Sequence, residues 1–505
     1  MKVSIRKDIY FLLILTLLAG VLYGFKLGAF GLLDPDEPFY SLTAKEMLAR
    51  HDPWVPMMFG QPQFEKPALT YWVLYLFFKF FGVSEWAARL GPCLAGILTV
   101  LVTYLWARVL FKKSTAAFVS AAVLMTALEF VIISRIVLTD MFLCLFVTAA
   151  FFCFSLGYEH PKYRKAAWVF IFAFCGLGFL TKGPLGLLLP FFGIVSYLLW
   201  NEEPNLLSKE MPWAAGLLVF FVVVLPWYGF MAMRFGAGFL KQFFIHENVR
   251  RFFVAEHASS DKWFFYPAAI FVGFFPWTPF VPGGLVYGFK QALRGRSRNQ
   301  KMFLFLVLSV VPAFIFFTLA KSKLLSYIFP VFPAVALILG AWMYRIYKRS
   351  RWKKKYALSF ALIVTATFFL SGVAFGWLLP KLDNRFSSKE DVAFYQRLSS
   401  NSEKRFLLAS KLYVRGVSFY SGQSWVGVLI EDPRDAFYTQ HPIPLLFSRE
   451  DLLRIDKGQF PVYCFLRQKE FNWLKNIAGS PLNVSVLATH TRRMLVKLER
   501  MDKIR

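Results

Sequence analysis

The chain reads DPDEPFY at residues 34–40 and FEKP at residues 64–67, and both stretches lie in the first long break between apolar runs. The first places three carboxylates within four residues, and the second adds a Glu-Lys pair. A charge held against a membrane must be solvated, paired or used in chemistry. We therefore start from the hypothesis that this loop carries the chemistry of the protein, and that the apolar runs around it position the loop.

The composition predicts a polytopic α-helical membrane protein. Of the 505 residues, 57% are hydrophobic and 19% aromatic, and the apolar residues form runs of about twenty rather than helix-period stripes. We count about eleven spans, with a break forced by Lys182-Gly183-Pro184. The first run is interpreted as an uncleaved span rather than a signal peptide. The runs lie near residues 9–25, 87–110, 114–133, 138–157, 166–181, 184–200, 213–232, 263–288, 302–320, 325–347 and 356–379.

The net charge of +28 would suggest nucleic-acid binding in a soluble protein. Here the basic residues cluster in short loops between apolar runs, where they set orientation, so nucleic acid is excluded as a partner. The pattern predicts a multi-pass protein of the plasma (inner) membrane, with a cytoplasmic N-terminus and an extracytoplasmic C-terminal region. Four of the five cysteines lie in apolar segments, and no disulfide framework or zinc-finger spacing is present.

The sequence predicts two domains. Residues 1–380 form a transmembrane domain with a first extracytoplasmic loop at about 27–86, and residues 381–505 form a small extracytoplasmic α/β domain. Within the second domain Ser448 and Asp451 have capping-box spacing. No catalytic motif is recognised there. The β-type runs are residues 406–408, 426–430, 462–466 and 484–487, and the helical stretches are 449–455 and 468–477.

The predicted outer loops carry mixed charges, whereas the cytoplasmic loops are nearly pure Lys and Arg. Orientation alone does not require mixed charges in short loops, so the asymmetry predicts a site on the outer face. The residues concerned are Asp34, Asp36, Glu37, Glu65, Lys66, Arg135, Asp140, Lys182, His246, Glu247, Arg250, Arg251, Glu256, His257, Lys321, Lys323 and Tyr327.

The residue types in the predicted outer loops limit the ligands and reactions that the site would suit. Lys and Arg at a membrane boundary suit a phosphate or pyrophosphate whose lipid tail stays in the bilayer. Carboxylates among them suit a general base, a metal ligand or a hydrogen-bond partner for sugar hydroxyls. Aromatic residues such as Tyr40 suit a sugar face or an isoprenoid tail, although an interfacial aromatic belt explains them equally well.

Several of the candidates also have a purely structural interpretation. Such roles are the first turn of a surface helix for Asp36 and Glu37, a surface ion pair for Glu65 and Lys66, a tight turn for Arg135 and Asp140, snorkelling at helix ends for Lys182 and Lys323, and ordinary interfacial charge for Arg251.

The first-loop motifs resemble those of a known family. Pro35-Asp36-Glu37, Tyr40, Glu46-Met47-Leu48 and Phe64-Glu65-Lys66-Pro67 are similar to the first periplasmic loop of the aminoarabinose transferases of lipid A. These enzymes stand within the wider class of GT-C membrane glycosyltransferases that includes the protein O-mannosyltransferases. The similarity continues through residues 138–140, 181–183, 247–252 and 320–327 and covers roughly the first 345 residues.

The resemblance implies a GT-C fold and transfer of a sugar from a polyprenyl-phosphate carrier, such as undecaprenyl phosphate, to a lipid A-like lipid or another cell-envelope glycan. It implies a catalytic role for Asp36, with Glu37 beside it, and donor phosphate binding by Lys66 and Arg251, with Lys182 and Lys321 as further candidates. The other implied site residues are Glu65, Tyr40, Asp140, Glu247, Lys323 and Tyr327. The candidate cofactor is a divalent metal, with Glu65 and His246 as candidate ligands.

The chain departs from the family pattern at four points. Phe39 stands where the aminoarabinose transferases have Arg, Gln63 where they have Tyr, and Asn248 where they have His, with His246 nearby. Their last two spans also have no counterpart in the apolar runs. The motifs therefore predict the class of enzyme and leave the sugar and the acceptor open.

Three other functions compete with glycosyl transfer to a lipid or glycan. A protein O-glycosyltransferase would use a peptide hydroxyl as acceptor. A lipid-linked sugar flippase would place ionisable groups near the membrane midplane, often in repeated broken helices; here the charges lie at span ends and no repeat is evident. A structural scaffold would not need the charge cluster. We therefore favour an enzyme, with a single displacement that inverts the anomeric centre.

Overall fold

The computed structural model describes residues 2–250, 253, 262–294, 297–398, 406–423, 426–432, 443–490 and 493–501. The chain divides into two compact units. Unit 1 comprises residues 1–25, 64–70 and 90–373, and unit 2 comprises residues 26–63, 71–89 and 374–505. Most of the predicted first loop therefore belongs to the same unit as the C-terminal region. The boundary expected between residues 380 and 381 stays a prediction.

Unit 1 consists of apolar helices, as the composition predicted. In the part of the chain that the structure describes, seven helices are long and apolar enough to cross a membrane. The helices of unit 1 are Lys2–Gly24, most of Glu85–Phe111, Ser114–Met125, Leu128–Ile133, Asp140–Glu159, Arg164–Lys182, Leu185–Trp200, Trp213–Leu240, Phe265–Gly273, Val281–Ala292, Arg298–Leu319, Phe332–Arg349 and Lys353–Val373, with a π-helix at Lys241–Arg250 and a 3-10 helix at Leu325–Val331.

The predicted break at Lys182-Gly183-Pro184 is present. Helix Arg164–Lys182 ends at Gly183, whose φ of 66° lies in the left-handed region that favours glycine. Pro184 is the N-cap of the next helix, Leu185–Trp200. Proline is well suited to the start of a helix.

Two predicted runs are divided in the structure. The run 114–133 breaks at Thr126, whose hydroxyl donates to Ala122 O (2.7 Å) and accepts a hydrogen bond from the Trp277 indole (2.9 Å). The run 263–288 breaks after Gly273, where Pro276 and a second proline remove backbone donors. Hydropathy could not locate these breaks because both segments stay apolar throughout.

Helix packing in unit 1 depends on small residues at points of close approach. A Cβ atom added at Gly340 would overlap Ser120 on helix Ser114–Met125. Gly178 and Gly186 approach each other so closely that a Cβ atom on Gly186 would overlap the Gly178 backbone. Small residues are enriched at such contacts because helices in a membrane associate through close packing rather than through the hydrophobic effect.

Gly340→Ala should lower the free energy of unfolding by about 1–3 kcal/mol, since the added methyl group has no room against the fully buried Ser120. Thermal unfolding of the detergent-purified protein, followed by tryptophan fluorescence, measures the change. Gly372→Ala is the matched control, because no atom lies within 4 Å of the added Cβ position on helix Lys353–Val373. Equal destabilisation by the two variants would contradict this account of helix packing.

Unit 2 contains a six-stranded sheet, which confirms the small C-terminal sheet domain. Strands β1 (Met57–Met58) and β2 (Gln61–Pro62) form a separate antiparallel pair. The larger sheet has the order β5-β4-β3-β6-β8-β7, in which β5, β4, β3 and β6 are parallel and β8 and β7 are antiparallel additions. Its strands are β3 (Leu407–Ser410), β4 (Val426–Leu429), β5 (Leu445–Leu446), β6 (Val462–Leu466), β7 (Leu482–His490) and β8 (Arg493–Arg500).

Strands β3, β4, β6 and β7 overlap the four predicted β-type runs, whereas β5 and β8 were not predicted. Strand β6 is wholly buried, as expected for a parallel strand covered on both faces. The predicted capping box is also present: Ser448 Oγ accepts from the Asp451 amide (3.1 Å) and Asp451 Oδ2 accepts from the Ser448 amide (3.1 Å). The helices of unit 2 are Asp36–Ala49, most of Leu69–Phe81, Leu379–Lys381, Asp383–Phe386, Lys389–Leu398, Val414–Ser421, Arg449–Leu453 and Gln468–Ile477.

The first-loop helix Asp36–Ala49 packs against helix Val414–Ser421 of the C-terminal region. The Lys45 ammonium donates to Phe419 O (2.5 Å) across this contact. Nine of the fourteen residues of helix Asp36–Ala49 are buried, so the DPDEPFY stretch opens a core helix of unit 2 rather than a loosely attached surface helix.

Candidate active site

Glu37 forms a buried, bidentate ion pair with Arg89 in unit 2. Arg89 Nε donates to Glu37 Oε1 (2.9 Å) and Arg89 Nη2 donates to Glu37 Oε2 (2.6 Å), and the exposed fractions of the two side chains are 0% and 2%. Glu37 Oε2 also accepts from the Leu33 amide (2.8 Å). Paired charge-assisted bonds of this geometry are among the strongest in proteins. The catalytic role of Glu37 stays a prediction, and its bonds favour a positioning role.

Arg89 also holds the backbone that leads to the acidic stretch. Its guanidinium donates to Leu27 O (3.1 Å), Phe30 O (2.9 Å) and Gly31 O (2.7 Å), and it stacks on the Phe30 ring at 3.9 Å. The sequence pattern did not single out Arg89, which lies at the start of an apolar run. The signal was present, since a lone arginine next to an apolar segment needs a partner.

Asp36 lies in the first turn of helix Asp36–Ala49, and its side chain is exposed. The N-cap is Pro35, whose side chain has no polar atom to hydrogen-bond the first turn. A carboxylate at this position is stabilised by the positive end of the helix dipole. One turn on, Tyr40 is buried, with its ring at 4.9 Å from that of Phe39 and 6.0 Å from that of Tyr71. Asp36 is thus the solvent-accessible carboxylate of the acidic stretch.

Asp34 is buried beside residues of the C-terminal region. Asp34 Oδ2 accepts from Ser388 Oγ (2.5 Å) and from Arg493 Nη1 (3.4 Å), and the Asp34 amide donates to Phe386 O (2.8 Å). Burial raises the pKa of Asp34 to about 7, although the Arg493 charge and the Ser388 bond oppose that rise. No sequence pattern connected Asp34 to a strand more than 450 residues away.

In unit 1, Lys182 pairs with Asp140. Lys182 Nζ donates to Asp140 Oδ1 (2.6 Å), and the ammonium lies 4.5 Å from the centre of the Tyr327 ring. Asp140 is the first residue of helix Asp140–Glu159, and Lys182 is the last residue of helix Arg164–Lys182. Because these helices are packed neighbours in chain order, the pair lies at one end of the bundle.

Lys66 and Glu247 form a second pair at the same end of unit 1. Lys66 Nζ lies 3.7 Å from Glu247 Oε2 and 3.4 Å from Glu65 O, and Glu247 is buried in the π-helix Lys241–Arg250. The Phe179 ring, one turn before Lys182, contacts the Phe244 ring, one turn before Glu247, at 6.4 Å. The structure therefore brings together two lysine–carboxylate pairs that the sequence placed in separate loops.

The remaining predicted residues differ in how far their side chains are exposed. Lys323 is buried and Lys321 is exposed in the segment after helix Arg298–Leu319, while Glu65 and His246 are half-buried. Arg250 is exposed. Three predicted side chains lie outside the described residues: Arg251, Glu256 and His257.

Arg135 caps the first helix. Its guanidinium donates to the carbonyl oxygens of Leu22 (2.9 Å), Tyr23 (2.8 Å) and Phe25 (2.6 Å). The last carbonyl groups of a helix have no partner within it, so a buried arginine at this point stabilises the helix end. This geometry assigns Arg135 a structural role.

Within the described ranges, no group of three or more His, Cys, Asp or Glu side chains is placed to hold a metal ion. The candidate ligands Glu65 and His246 therefore do not fit a metal site by themselves, and metal dependence stays a prediction.

A cavity of about 270 Å³ lies elsewhere in unit 1. It is lined by Phe154, Tyr158, Glu159, Arg298 and Lys301 among others. Glu159 ends the helix that Asp140 begins, so about 30 Å of helix separates this cavity from the two lysine–carboxylate pairs. None of the predicted site residues that the structure describes line it.

Solved structures with a similar architecture include ArnT from Cupriavidus metallidurans bound to undecaprenyl phosphate. The match has a TM-score of 0.75 at 21% sequence identity and covers 96% of this chain and 97% of that chain. This chain has the ArnT fold. The archaeal oligosaccharyltransferase AglB from Archaeoglobus fulgidus, in complex with an inhibitory peptide and a dolichol-phosphate, matches with a TM-score of 0.58 at 14% identity, over 91% of this chain and 69% of that one.

Sequence comparisons point to the same class. Residues 65–230 match the family described as dolichyl-phosphate-mannose-protein mannosyltransferase. The undecaprenyl phosphate-alpha-4-amino-4-deoxy-L-arabinose arabinosyl transferase of Pectobacterium atrosepticum is 32% identical over 65% of this chain and 58% of its own length. The equivalent protein of Edwardsiella ictaluri is 31% identical over 62% and 56%. This chain thus spans less than two thirds of the length of these curated relatives.

The comparisons confirm the resemblance to the aminoarabinose transferase class that the first-loop residues indicated. Together with the apolar helices, they show a multi-pass membrane protein of GT-C fold. The expected lack of the family's last two spans stays a prediction.

Proposed function

We propose that this protein transfers a sugar from a polyprenyl-phosphate carrier to a lipid A-like lipid or another cell-envelope glycan. The observation that carries the proposal is the presence of Lys66 and Lys182, each held by a carboxylate at one end of an apolar bundle. Cations in that position can bind a lipid phosphate whose tail remains in the membrane. The named transferases of Pectobacterium and Edwardsiella and the ArnT bound to undecaprenyl phosphate support the same donor class.

The donor phosphate would exchange with the carboxylates that now hold the two lysines. Glu247 and Asp140 keep Lys66 and Lys182 oriented before the donor binds, and the Tyr327 ring supports the Lys182 ammonium. Arg251 and Lys321 are the further phosphate-binding residues proposed from the sequence. As the bond between the sugar and the phosphate breaks, these cations stabilise the charge on the departing polyprenyl phosphate.

The transfer is a single displacement at C1 of the sugar. An acceptor oxygen forms a bond to C1 from the side opposite the phosphate, and the electron pair of the breaking bond leaves with the phosphate. If the acceptor is a hydroxyl group, Asp36 takes its proton; if it is a phosphate, that group is already ionised and Asp36 orients it. The scheme requires inversion at C1, which NMR of the product measures, and retention would count against it.

The proposed function is tested with purified protein and two donors, undecaprenyl phosphate-linked 4-amino-4-deoxy-L-arabinose and dolichyl phosphate mannose. Each is mixed with lipid A or with a peptide that contains Ser and Thr, and mass spectrometry follows both the released lipid phosphate and the acceptor. We expect release coupled to a sugar increment on lipid A. An increment on the peptide would favour protein O-glycosylation, the alternative to which the mannosyltransferase family match points. Movement of donor across vesicles without release would indicate a transporter.

Lys66→Met should weaken binding of undecaprenyl phosphate by about 10- to 100-fold, because a hydrogen bond to a charged group contributes about 1.5–3 kcal/mol. Binding is measured by quenching of tryptophan fluorescence in detergent. Lys241→Met is the matched control, since this lysine is exposed at the start of the π-helix that carries Glu247. Unchanged affinity in Lys66→Met would remove Lys66 from the phosphate site.

We further propose that the protein lies in the inner membrane, with a cytoplasmic N-terminus and an extracytoplasmic C-terminal region. Lys112, Lys113 and the basic run 345–355 are the positive loops that favour this orientation. Alkaline phosphatase fused after residue 505 should be active, and the same enzyme fused after Lys113 should be inactive. The reverse pattern would invert the proposed orientation.

A further inference from the structure

We propose that Arg493 and Ser388 are positioning residues for Asp36, so that the C-terminal region controls the geometry of the acidic stretch. The inference rests on the proposed function, in which Asp36 acts on the acceptor. All the residues concerned belong to unit 2.

Arg493 and Ser388 act on Asp36 through Asp34, which lies two residues before it in the chain. Ser388 Oγ donates to Asp34 Oδ2 (2.5 Å), and Arg493 Nη1 lies 3.4 Å from the same oxygen and 3.1 Å from Ser388 Oγ. The exposed fractions of the Arg493 and Asp34 side chains are 2% and 3%. The three polar groups therefore bond one another out of water, where such interactions are strong and geometrically strict.

Arg493 is itself held from several sides. Its Nη2 donates to Asn384 O (3.2 Å), its guanidinium lies 4.7 Å from the centre of the Tyr413 ring, and its Nη1 lies 3.4 Å from Asp391 Oδ2. Asp391 in turn bonds His490 Nδ1 (2.6 Å), and His490 pairs with Arg493 across strands β7 and β8. The β7–β8 hairpin thus holds Arg493 in place, and Arg493 in turn holds Asp34.

The backbone before Asp36 is bonded to the same region. The Gly31 amide donates to Asp383 Oδ1 (2.9 Å), and the Leu32 amide donates to the Tyr420 hydroxyl (2.7 Å). The Asp34 amide donates to a carbonyl of helix Asp383–Phe386 (2.8 Å). Three backbone donors of one short segment are therefore satisfied by residues more than 340 positions away in the chain.

Only Pro35 and Asp36 lie between two residues whose side chains are held by buried bonds, Asp34 and Glu37. Asp34 is held by Arg493 and Ser388, and Glu37 is held by Arg89. The proline ring restricts its own φ, here −95°, so the backbone between Asp34 and Glu37 has few conformations open to it. The position of the Asp36 carboxylate consequently depends on the Asp34 attachment.

A glycine leaves the space that this attachment needs. A Cβ atom at Gly416, on helix Val414–Ser421, would overlap Asp34 Oδ1 and would lie 3.0 Å from Ser388 Oγ. Gly416→Ala therefore displaces Asp34 without changing any charge or removing any donor. It offers a test of position that is separate from the loss of the ion pair.

The polar network is not the main support of the sheet. The apolar core of unit 2 is built from residues such as Leu408, Leu429, Cys464 and Val496, and a buried ion pair contributes little net stability compared with apolar packing. Burial of Asp34, which raises its pKa, is an energetic cost that the sheet does not require. A role in positioning Asp36 accounts for a network with that cost.

The test compares the full-length variants Arg493→Gln, Ser388→Ala and Gly416→Ala in the coupled transfer assay described above. Each should lower kcat by about 10- to 100-fold, because displacement of a catalytic group by about 1 Å has effects of this size. The KM for the donor and the affinity for undecaprenyl phosphate should change less than twofold, since Lys66 and Lys182 are untouched. Lys497→Gln on the same strand β8 is the matched control and should behave as wild type.

The outcomes distinguish failure of the proposed function from failure of the positioning role. A wild-type protein that transfers no sugar contradicts the proposed function, whereas wild-type kcat in Arg493→Gln and Gly416→Ala overturns the positioning role alone. Hydrogen exchange gives a readout that needs no activity: the amides of Gly31, Leu32 and Asp34 should exchange at least tenfold faster in Arg493→Gln than in Lys497→Gln. Unchanged exchange would also overturn the inference. If Arg493→Gln fails to fold, Ser388→Ala and Gly416→Ala decide the question.

Discussion

Asp36→Asn should lower kcat by about 10²- to 10⁴-fold, the range that a positioned general base contributes. The free energy of unfolding should fall by less than about 1 kcal/mol, because the side chain is exposed and the amide keeps the size of the carboxylate while its favourable interaction with the helix N-terminus is weakened. The coupled transfer assay measures the first quantity and thermal unfolding the second. A large loss of activity in a stable protein is the expected signature of a catalytic carboxylate.

The matched control for this prediction is Glu450→Gln. Glu450 is an exposed carboxylate in the same unit, and like Asp36 it lies in the first turn of a helix, here Arg449–Leu453. It should leave kcat unchanged. If Asp36→Asn also keeps wild-type kcat with a hydroxyl acceptor, Asp36 is not the base and the mechanism fails at that step.

Arg89→Ala should lower the free energy of unfolding by about 3–5 kcal/mol and abolish transfer. The substitution leaves the Glu37 carboxylate buried without its cation and removes the donor from the Leu27, Phe30 and Gly31 carbonyl groups. Removing one member of a buried pair has effects of this size. Arg50→Ala is the control, since Arg50 is exposed and its guanidinium bonds Gly60 O at 3.2 Å; its effect should stay within about 0.5 kcal/mol.

The double variant Glu37→Leu with Arg89→Leu distinguishes the loss of the ion pair from the loss of the arginine alone. Removing both charges should destabilise unit 2 less than Arg89→Ala, because no uncompensated charge remains. A double variant that is less stable than the single one would show that the bonds from Arg89 to the backbone, rather than the pair with Glu37, hold the segment in place.

The sequence predicted those features that depend on local pattern. Apolar runs identified the helical bundle, Lys182-Gly183-Pro184 identified a helix break, and Ser448 with Asp451 identified a cap that the structure contains. Apolar β-type runs located the parallel strands β3, β4 and β6 because these strands are buried on both faces, whereas β5 and β8 were not predicted. The lysines and carboxylates of separate loops could be assigned to one face because alternation of spans returns the chain to that face.

The sequence did not predict which residues far apart in the chain contact each other. Nothing in the pattern of β8 marks Arg493 as the partner of Asp34, and no periodicity joins the first loop to helix Val414–Ser421. Glu37 and Asp36 are also indistinguishable as neighbours in sequence; only the fold gives one a buried guanidinium and the other an exposed position. Such contacts are set by tertiary packing, which overrides local preference.

The central claim is transfer of a sugar from a polyprenyl-phosphate carrier, and mass spectrometry of envelope lipids, glycans and glycoproteins tests it most directly. Cells that lack the protein are compared with cells complemented by wild type, by Asp36→Asn or by Glu450→Gln. We predict that one sugar increment disappears without the protein, returns with wild type and Glu450→Gln, and stays absent with a stably produced Asp36→Asn. An unchanged envelope in cells that lack the protein, or full restoration by Asp36→Asn, would contradict the account.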